Sequence, residues 1–365
     1  MIIDLIAGAR PNFIKIAPLI DAIKAAQLSG GKIKYRLIHT GQHYDKNMSG
    51  DFFGQLKIPS PDINLGVGSG TQAEQSAKIM IGYEKLLSKK SSDYCLVVGD
   101  VTSTMACSIV AKKLNLKVIH VEAGIRSGDL TMPEEVNRII TDSITDYFFT
   151  TSKDANNNLV NNVVSKDNIF FVGNTMIDTL LKHKKNFKKP EIWNQIKLRK
   201  KEFIIMTLHR PSNVDDKNIL ISIIDEIIKH SKQIPIIFPA HPRTEYNLKK
   251  ISLAYSNLFI IKPLSYLEFN YLVSKAKAVV TDSGGISEET TIMNIPCMTL
   301  RNNTERPETV DLGTNVLLGQ DGKEISYSMS KLFNGEWKQG RIPPLWDGKT
   351  SDRIISHILD INSKK

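Results

Sequence analysis

Short apolar runs alternate with amphipathic stretches along the whole chain. Ile2–Ala7 is apolar and closes on Gly8-Ala9-Arg10-Pro11, after which Phe13–Ile23 has helical spacing, so the chain opens as strand, turn, helix. Further strands are predicted at Tyr35–Thr40, Tyr94–Val98, Lys117–Val121, Tyr147–Thr151 and Ile169–Val172. Between them, a short helical segment covers Met48–Leu56, and the capping box Thr71-Gln-Ala-Glu74 opens a helix to about Leu87. A helix ends near Leu114, and another begins with Pro133 in its first turn and runs to about Thr145. The rhythm then repeats, with strands at Phe203–Thr207, Ile234–Pro239, Leu258–Ile261, Ala278–Thr281, Cys297–Leu300 and Val316–Leu318. Strands separated by helices pair in parallel, and two such series imply an α/β protein of two doubly wound domains. The lysine-rich stretch Asn174–Lys201, with Pro190, is the natural junction, and a last helix covers Ser351–Ile361.

Composition narrows the class only a little. The 365 residues are 41% apolar and 24% charged, as in ordinary globular proteins. No apolar run approaches the ~18 residues of a membrane span, and no signal-peptide pattern opens the chain. Cys95, Cys107 and Cys297 are three, without metal-ligand spacing, which suits buried thiols in a cytoplasmic protein. The net charge of +10 is compatible with an anionic ligand. Its one local concentration, Lys182–Lys189, lacks aromatic interleaving and reads as a solvated connector rather than a nucleic-acid site.

The candidate chemistry sits where strands end. In His120–Arg138 (HVEAGIRSGDLTMPEEVNR), a strand leads into a loop crowded with acids and arginines. Asp100 and Glu122 close two consecutive strands, and Glu134 from the loop joins them as a candidate acid/base set. Gly8, Arg10 and Lys15 in GARPNFIK suit a phosphate at a helix start. Asp282-Ser-Gly-Gly-Ile-Ser-Glu-Glu289 ends a strand with two glycines and begins a helix. Its backbone N–H groups can approach a phosphate while its carboxylates hold ribose hydroxyls, the favoured reading, and Asp282 or Ser283 could cap the helix at the same time. His209-Arg210 and His241-Pro-Arg243 follow strands of the same half and favour an anion over a metal. Gly68-Ser-Gly70-Thr-Gln-Ala73 matches a dinucleotide fingerprint only formally, because no clear strand precedes it, and is read as a helix start.

These stretches resemble the non-hydrolysing UDP-N-acetylglucosamine 2-epimerases. The resemblance rests on GARPNFIK, HTGQHYD, VVGDVTST, HVEAGIRSGD, MPEEVNR, VGNTMID, TLHRPSN, TDSGGISEE and RNNTERPETV, which occur in family order from residue 8 to 310. It implies two Rossmann-like domains of the glycosyltransferase-B type with a cleft between them. The domains would be residues 1–172, joined by a C-terminal helix at 350–365, and a UDP-binding domain at 173–349. It implies interconversion of UDP-N-acetylglucosamine and UDP-N-acetylmannosamine through 2-acetamidoglucal, without a nicotinamide or metal cofactor, in a homodimer.

By the same resemblance, Asp100, Glu122 and Glu134 are acid/base candidates, and Arg10, Lys15, His209 and His241 stabilise the diphosphate. Ser283, Gly284 and Gly285 would donate to it, Glu289 would hold ribose, and Arg301 and Glu305 lie in the sugar-side loop. Gln42, His43 and Arg210 match a second, activating site known in bacterial members. Three departures bear on the sugar. Asn12-Phe13 stands where common members have Glu-Ala, the loop from Asp129 to Pro133 is shorter, and HRPSN replaces His-Arg-Arg-Glu-Asn. Similar variants occur in relatives acting on a diacetamido uronic-acid sugar nucleotide, which is the alternative substrate. A hydrolysing 2-epimerase and a glycosyltransferase are the alternative reactions.

Overall fold

A computed structural model describes residues 1–41, 54–240, 242–248, 251 and 255–364. The chain forms two compact units, Met1–Lys182 with Pro344–Lys365, and His183–Pro343.

The first unit holds strands β1 (Ile2–Ala7), β2 (Lys34–His39), β3 (Ile63–Asn64), β4 (Tyr94–Val98), β5 (Lys117–Val121), β6 (Tyr147–Thr150) and β7 (Ile169–Phe171). Their order is β3-β2-β1-β4-β5-β6-β7, every pair parallel. Helices cover both faces, so the central strand β4 is buried at every residue instead of alternating. β3 adds an edge strand that the apolar pattern did not reveal, since two residues carry no readable period. The helix Gln72–Lys89 starts on Thr71, whose hydroxyl accepts from the Glu74 N–H while Glu74 accepts from the Thr71 N–H. That capping box accounts for the Gly68–Gly70 stretch as a helix start.

The helix Thr175–His183 packs with the first unit. The Thr179 hydroxyl donates to the Ile14 carbonyl at 2.6 Å, and Asp178 accepts from the Thr350 and Ser351 N–H groups at 3.1 and 2.7 Å. Asp178 thereby anchors the first turn of the last helix, Thr350–Ser363, which lies against the helix Arg10–Leu28. These bonds explain why the units divide after Lys182 rather than after Val172. The returning segment also begins earlier than residue 350, at Pro344, because the buried Trp346 is anchored there.

The second unit holds β8 (Ile204–Thr207), β9 (Ile236–Pro239), β10 (Leu258–Ile261), β11 (Ala278–Thr281), β12 (Cys297–Thr299) and β13 (Asn315–Leu317). They run β10-β9-β8-β11-β12-β13, again in parallel. Successive residues divide between two cores, as a pleated strand requires. Ile204, Met206 and Phe238 join Ile223, Ile227 and Met329 on one face, while Phe203, Ile205 and Ile237 join Leu272 and Val273 on the other.

In both sheets the first strand lies inside and the chain departs from it in two directions. β1 is flanked by β2 and β4, and β8 by β9 and β11. Loops leaving the carboxyl ends of such a strand pair diverge and leave a crevice where doubly wound proteins bind ligands. The β1/β4 ends carry Gly8–Arg10 and Gly99–Asp100, and the β8/β11 ends carry His209–Arg210 and Asp282–Gly285. Among the described residues, no helix is long and apolar enough to cross a membrane.

Candidate active site

In the first unit the register of β4 and β5 sets Val98 beside Val121. Gly99–Asp100 and Glu122 therefore leave neighbouring strand ends. Glu122 has a φ of +72°, a left-handed backbone rare for a side chain of this kind, and is 4% exposed. Its carboxylate pairs with Lys15, from the second turn of the helix Arg10–Leu28. Gly99 (φ +69°) leaves room for this pair, since a Cβ there would stand 3.2 Å from Lys15 Nζ and 3.4 Å from Glu122 Oε2. Asp100 is more open, with 29% of its side chain exposed. Arg138 donates to its Oδ2 through Nε and Nη2, at 3.1 and 2.7 Å.

The helix Pro133–Ile144 organises the loop that precedes it. Buried Glu135 accepts from the Ser127 and Gly128 N–H groups at 2.9 and 3.0 Å and pairs with Arg138. Glu134, next to it on the same helical turn, is exposed instead. About two turns further on, Asp142 accepts from the Gly124 N–H and pairs with His120 and Arg126. Burial opposes ionisation of Asp142, yet His120 and Arg126 hold its carboxyl below the ordinary range. Arg138 thus supports Asp100, whereas Arg126 is engaged by Asp142.

In the second unit Asp282 does not cap the following helix, Gly284–Met293, and Ser283, at the cap position, makes no side-chain capping bond either. The alternative of a helix cap at Asp282 or Ser283 is thus not realised. The buried Asp282 carboxylate faces back and accepts from the His209 N–H, the Arg210 N–H and Asn213 Nδ2, at 3.0, 2.9 and 3.0 Å. It also holds His209 Nδ1 at 2.7 Å, leaving the ring about half exposed and fixed in orientation. Burial opposes the charge on Asp282, but His209, the Arg210 N–H and Asn213 bring its carboxyl below the usual range. Asp282 and Asn213 are site-forming residues that the sequence showed only as parts of motifs, because their partners lie some seventy positions apart.

With no capping bond from the Ser283 side chain, the Gly284–Met293 helix start can present N–H groups to an anion. Near it stands Arg301, bound to Glu305 through two bonds of 2.7 and 2.8 Å. A Cβ at Gly284 would lie 3.7 Å from Glu305 Oε2 and 3.8 Å from Arg301 Nη1. Arg210 donates from Nε to the Asp282 carbonyl at 3.2 Å and approaches Glu305 to 3.8 Å. Arg210 therefore shares a neighbourhood with His209 and Glu305. Glu289, a turn into the helix, is buried beside Tyr266 and accepts from Asn270 at 3.3 Å. Burial pushes its carboxyl up to about 7. Gln42, His43 and His241 lie outside the described residues, as does most of the Met48–Leu56 helical segment. Arg10 opens its helix, but its side chain is not among those described.

Two parallel doubly wound sheets, one with paired acids and the other with a glycine-led helix start at its switch point, define an α/β enzyme of the glycosyltransferase-B type. The family model described as UDP-N-acetylglucosamine 2-epimerase matches residues 26–359. A UDP-N-acetylglucosamine 2-epimerase of Methanocaldococcus jannaschii is 40% identical, over 97% of this chain and 98% of that protein. A UDP-2,3-diacetamido-2,3-dideoxy-D-glucuronate 2-epimerase of Pseudomonas aeruginosa is 37% identical, over 98% and 99%. The crystal structure of the M. jannaschii UDP-GlcNAc 2-epimerase in complex with UDP-GlcNAc and UDP superimposes with a TM-score of 0.86 at 39% identity, covering 98% of this chain and 99% of that one. The chain belongs to the UDP-N-acetylglucosamine 2-epimerase family.

Proposed function

We propose that this protein interconverts UDP-N-acetylglucosamine and UDP-N-acetylmannosamine. A carboxylate removes the C2 proton, the C1–O bond breaks, and its electron pair leaves with UDP as the C1–C2 double bond of 2-acetamidoglucal forms. Return of a proton to the opposite face of C2 and re-addition of UDP at C1 complete the inversion. The observation that carries this reading is the pair Asp100 and Glu122 on neighbouring strand ends, each with its own cation, Arg138 and Lys15. Two acids in unlike settings, one buried and one open, suit proton removal on one face and return on the other.

Glu134 joins them as a third acid/base candidate, since an exposed side chain on the first helical turn is free to reach a bound ligand. Arg10, Lys15, His209 and His241 are assigned to the departing diphosphate, with Ser283, Gly284 and Gly285 as its donors. Glu289 is assigned to the ribose, and Arg301 and Glu305 to the sugar side. Gln42, His43 and Arg210 are assigned to an activating second site. The relative named for UDP-N-acetylglucosamine is the more similar, 40% against 37% for the diacetamido uronate enzyme, which favours the former sugar. The resemblance also supports a cytoplasmic homodimer.

Proton NMR in deuterated water tests the reaction. Deuterium is expected at C2 of a product that keeps its UDP. Stoichiometric free UDP would indicate a hydrolase, and turnover without C2 exchange a transferase, and either result would overturn the proposal.

Glu289 provides a pH-dependent check. Ribose hydroxyls donate to the ionised carboxylate, so UDP binding is expected to tighten as pH rises from 6 to 8, through the value of about 7. The effect on stability has the opposite sign. A folded-state value raised above the usual 4.5 gives stability that is complete at lower pH and is lost as pH rises through 7. Glu289→Gln is accordingly expected to raise stability at pH 8 by as much as about 3 kcal/mol while weakening UDP and flattening its pH dependence. Calorimetric titration and urea denaturation across that range check both signs. Equal pH dependence in the two proteins would refute the assignment.

A further inference from the structure

Asp100 leaves β4 through the turn Val98-Gly99-Asp100, and three successive carbonyls of that turn are each held by a side chain from elsewhere. Asn12 Nδ2, on the helix Arg10–Leu28, donates to the Val98 carbonyl at 2.9 Å. His120 Nε2, on β5, donates to the Gly99 carbonyl at 2.8 Å. Asn137 Nδ2, on the helix Pro133–Ile144, donates to the Asp100 carbonyl at 2.9 Å. Turn geometry needs only Gly99 with its positive φ, and these three donors, joined at the Val98 carbonyl by Thr104 Oγ1 at 3.1 Å, over-determine it.

Asn12 is the most connected of the three. It is 2% exposed, and its Oδ1 accepts from the Gly8 and Ala9 N–H groups at 3.1 and 3.0 Å. One amide therefore joins the exit of β1 to the exit of β4. It also borders the Lys15–Glu122 pair: the point where a Cβ of Gly99 would stand is 3.9 Å from Asn12 Nδ2, beside Lys15 Nζ and Glu122 Oε2. In this chain an amide suits the site, because it supplies an acceptor for two N–H groups and a donor for one carbonyl. An aspartate of the same length would place an oxygen against the Val98 carbonyl and a second negative charge near Lys15.

We propose that Asn12 and Asn137, with His120, are positioning residues that lock the Val98–Asp100 turn and so fix Asp100 relative to the Lys15–Glu122 pair. This rests on the epimerase reading for the role of the two acids. Positioning acts on the transition state more than on substrate binding, since a small displacement of a reacting group costs rate steeply.

The test uses Asn12→Asp, which keeps shape and acceptor but loses the donor, and Asn137→Ala, a change that a helix tolerates and that guards against a fold too damaged to interpret. Each is expected to lower kcat about 10- to 100-fold with KM nearly unchanged, in the range expected for a misplaced reacting group. Hydrogen–deuterium exchange is expected to rise over residues 98–104 and not elsewhere. Because both bonds hold one turn, the double variant is expected to be little worse than the poorer single one. Additive losses, a KM effect without a kcat effect, or unchanged exchange in Asn137→Ala would each overturn the proposal. Wild-type turnover is measured alongside. Inactivity on UDP-N-acetylglucosamine removes the epimerase reading, whereas the exchange result decides the positioning of the turn whatever the substrate.

Discussion

Glu122→Gln is expected to lower epimerase turnover by about three orders of magnitude, the scale of a lost general acid or base. Glutamine preserves the shape of the side chain and can still accept from Lys15 through its amide oxygen, so the left-handed backbone and the local packing are retained. What disappears is the capacity to take a proton from C2. Asp100→Asn is expected to behave likewise, because Arg138 can still be accepted by the amide oxygen while the proton-carrying function is gone. UDP affinity is expected to change little in either variant, since Ser283, Gly284, Gly285 and Glu289, the groups assigned to the nucleotide, lie in the second unit. Turnover by NMR, UDP binding by calorimetry and thermal melting form one set of measurements. If UDP binding falls in step with turnover, the two carboxylates are structural and the assignment fails. If turnover survives, proton transfer belongs to Glu134 or to another group.

The largest loss of stability is expected from Asp4→Ala, away from the chemistry. Asp4 lies in β1 with no exposed surface and accepts from Arg36 Nε and Nη2, both at 2.8 Å, from the Tyr83 hydroxyl at 2.9 Å and from Ser92 at 3.0 Å. Arg36 lies opposite it on β2 and is itself buried. Removing the carboxylate leaves a guanidinium in the interior with its charge uncompensated, a change that costs about 3–5 kcal/mol. Replacing both partners at once with apolar residues is expected to cost less, because the uncompensated charge is then absent. Urea denaturation of the single and double variants measures the difference. A loss below about 1 kcal/mol in Asp4→Ala would mean that water or a rearrangement satisfies Arg36.

The motifs disclosed different amounts of this. Strand positions and the two-fold α/β rhythm were readable because apolar runs such as Tyr94–Val98 must be buried on both faces, whatever their neighbours. Thr71 and Glu74 were readable as a capping box because both partners sit within one turn. Asp282 was ambiguous. An aspartate before Ser-Gly-Gly is an equally good helix cap, and only the return of β8 beside β11 showed that it faces His209, Arg210 and Asn213. Glu134 and Glu135 are adjacent and chemically alike, but one is exposed while the other clamps the Ser127–Gly128 backbone. Their order in the chain carries no sign of which is which.

Legible along the chain alone were the parallel α/β architecture, the strand ends that carry Asp100, Glu122, His209 and the Gly284-Gly285 helix start, and the family motifs in their order. Those features follow from local periodicity, turn chemistry and short spacing. Packing assigned Arg138 to Asp100 and Arg126 to Asp142, and brought Asn12 across 86 positions to the Val98 carbonyl. Those choices depend on which helix packs over which strand end, and side-chain hydrogen bonds of about 3 Å are settled by that packing rather than by any pattern along the chain.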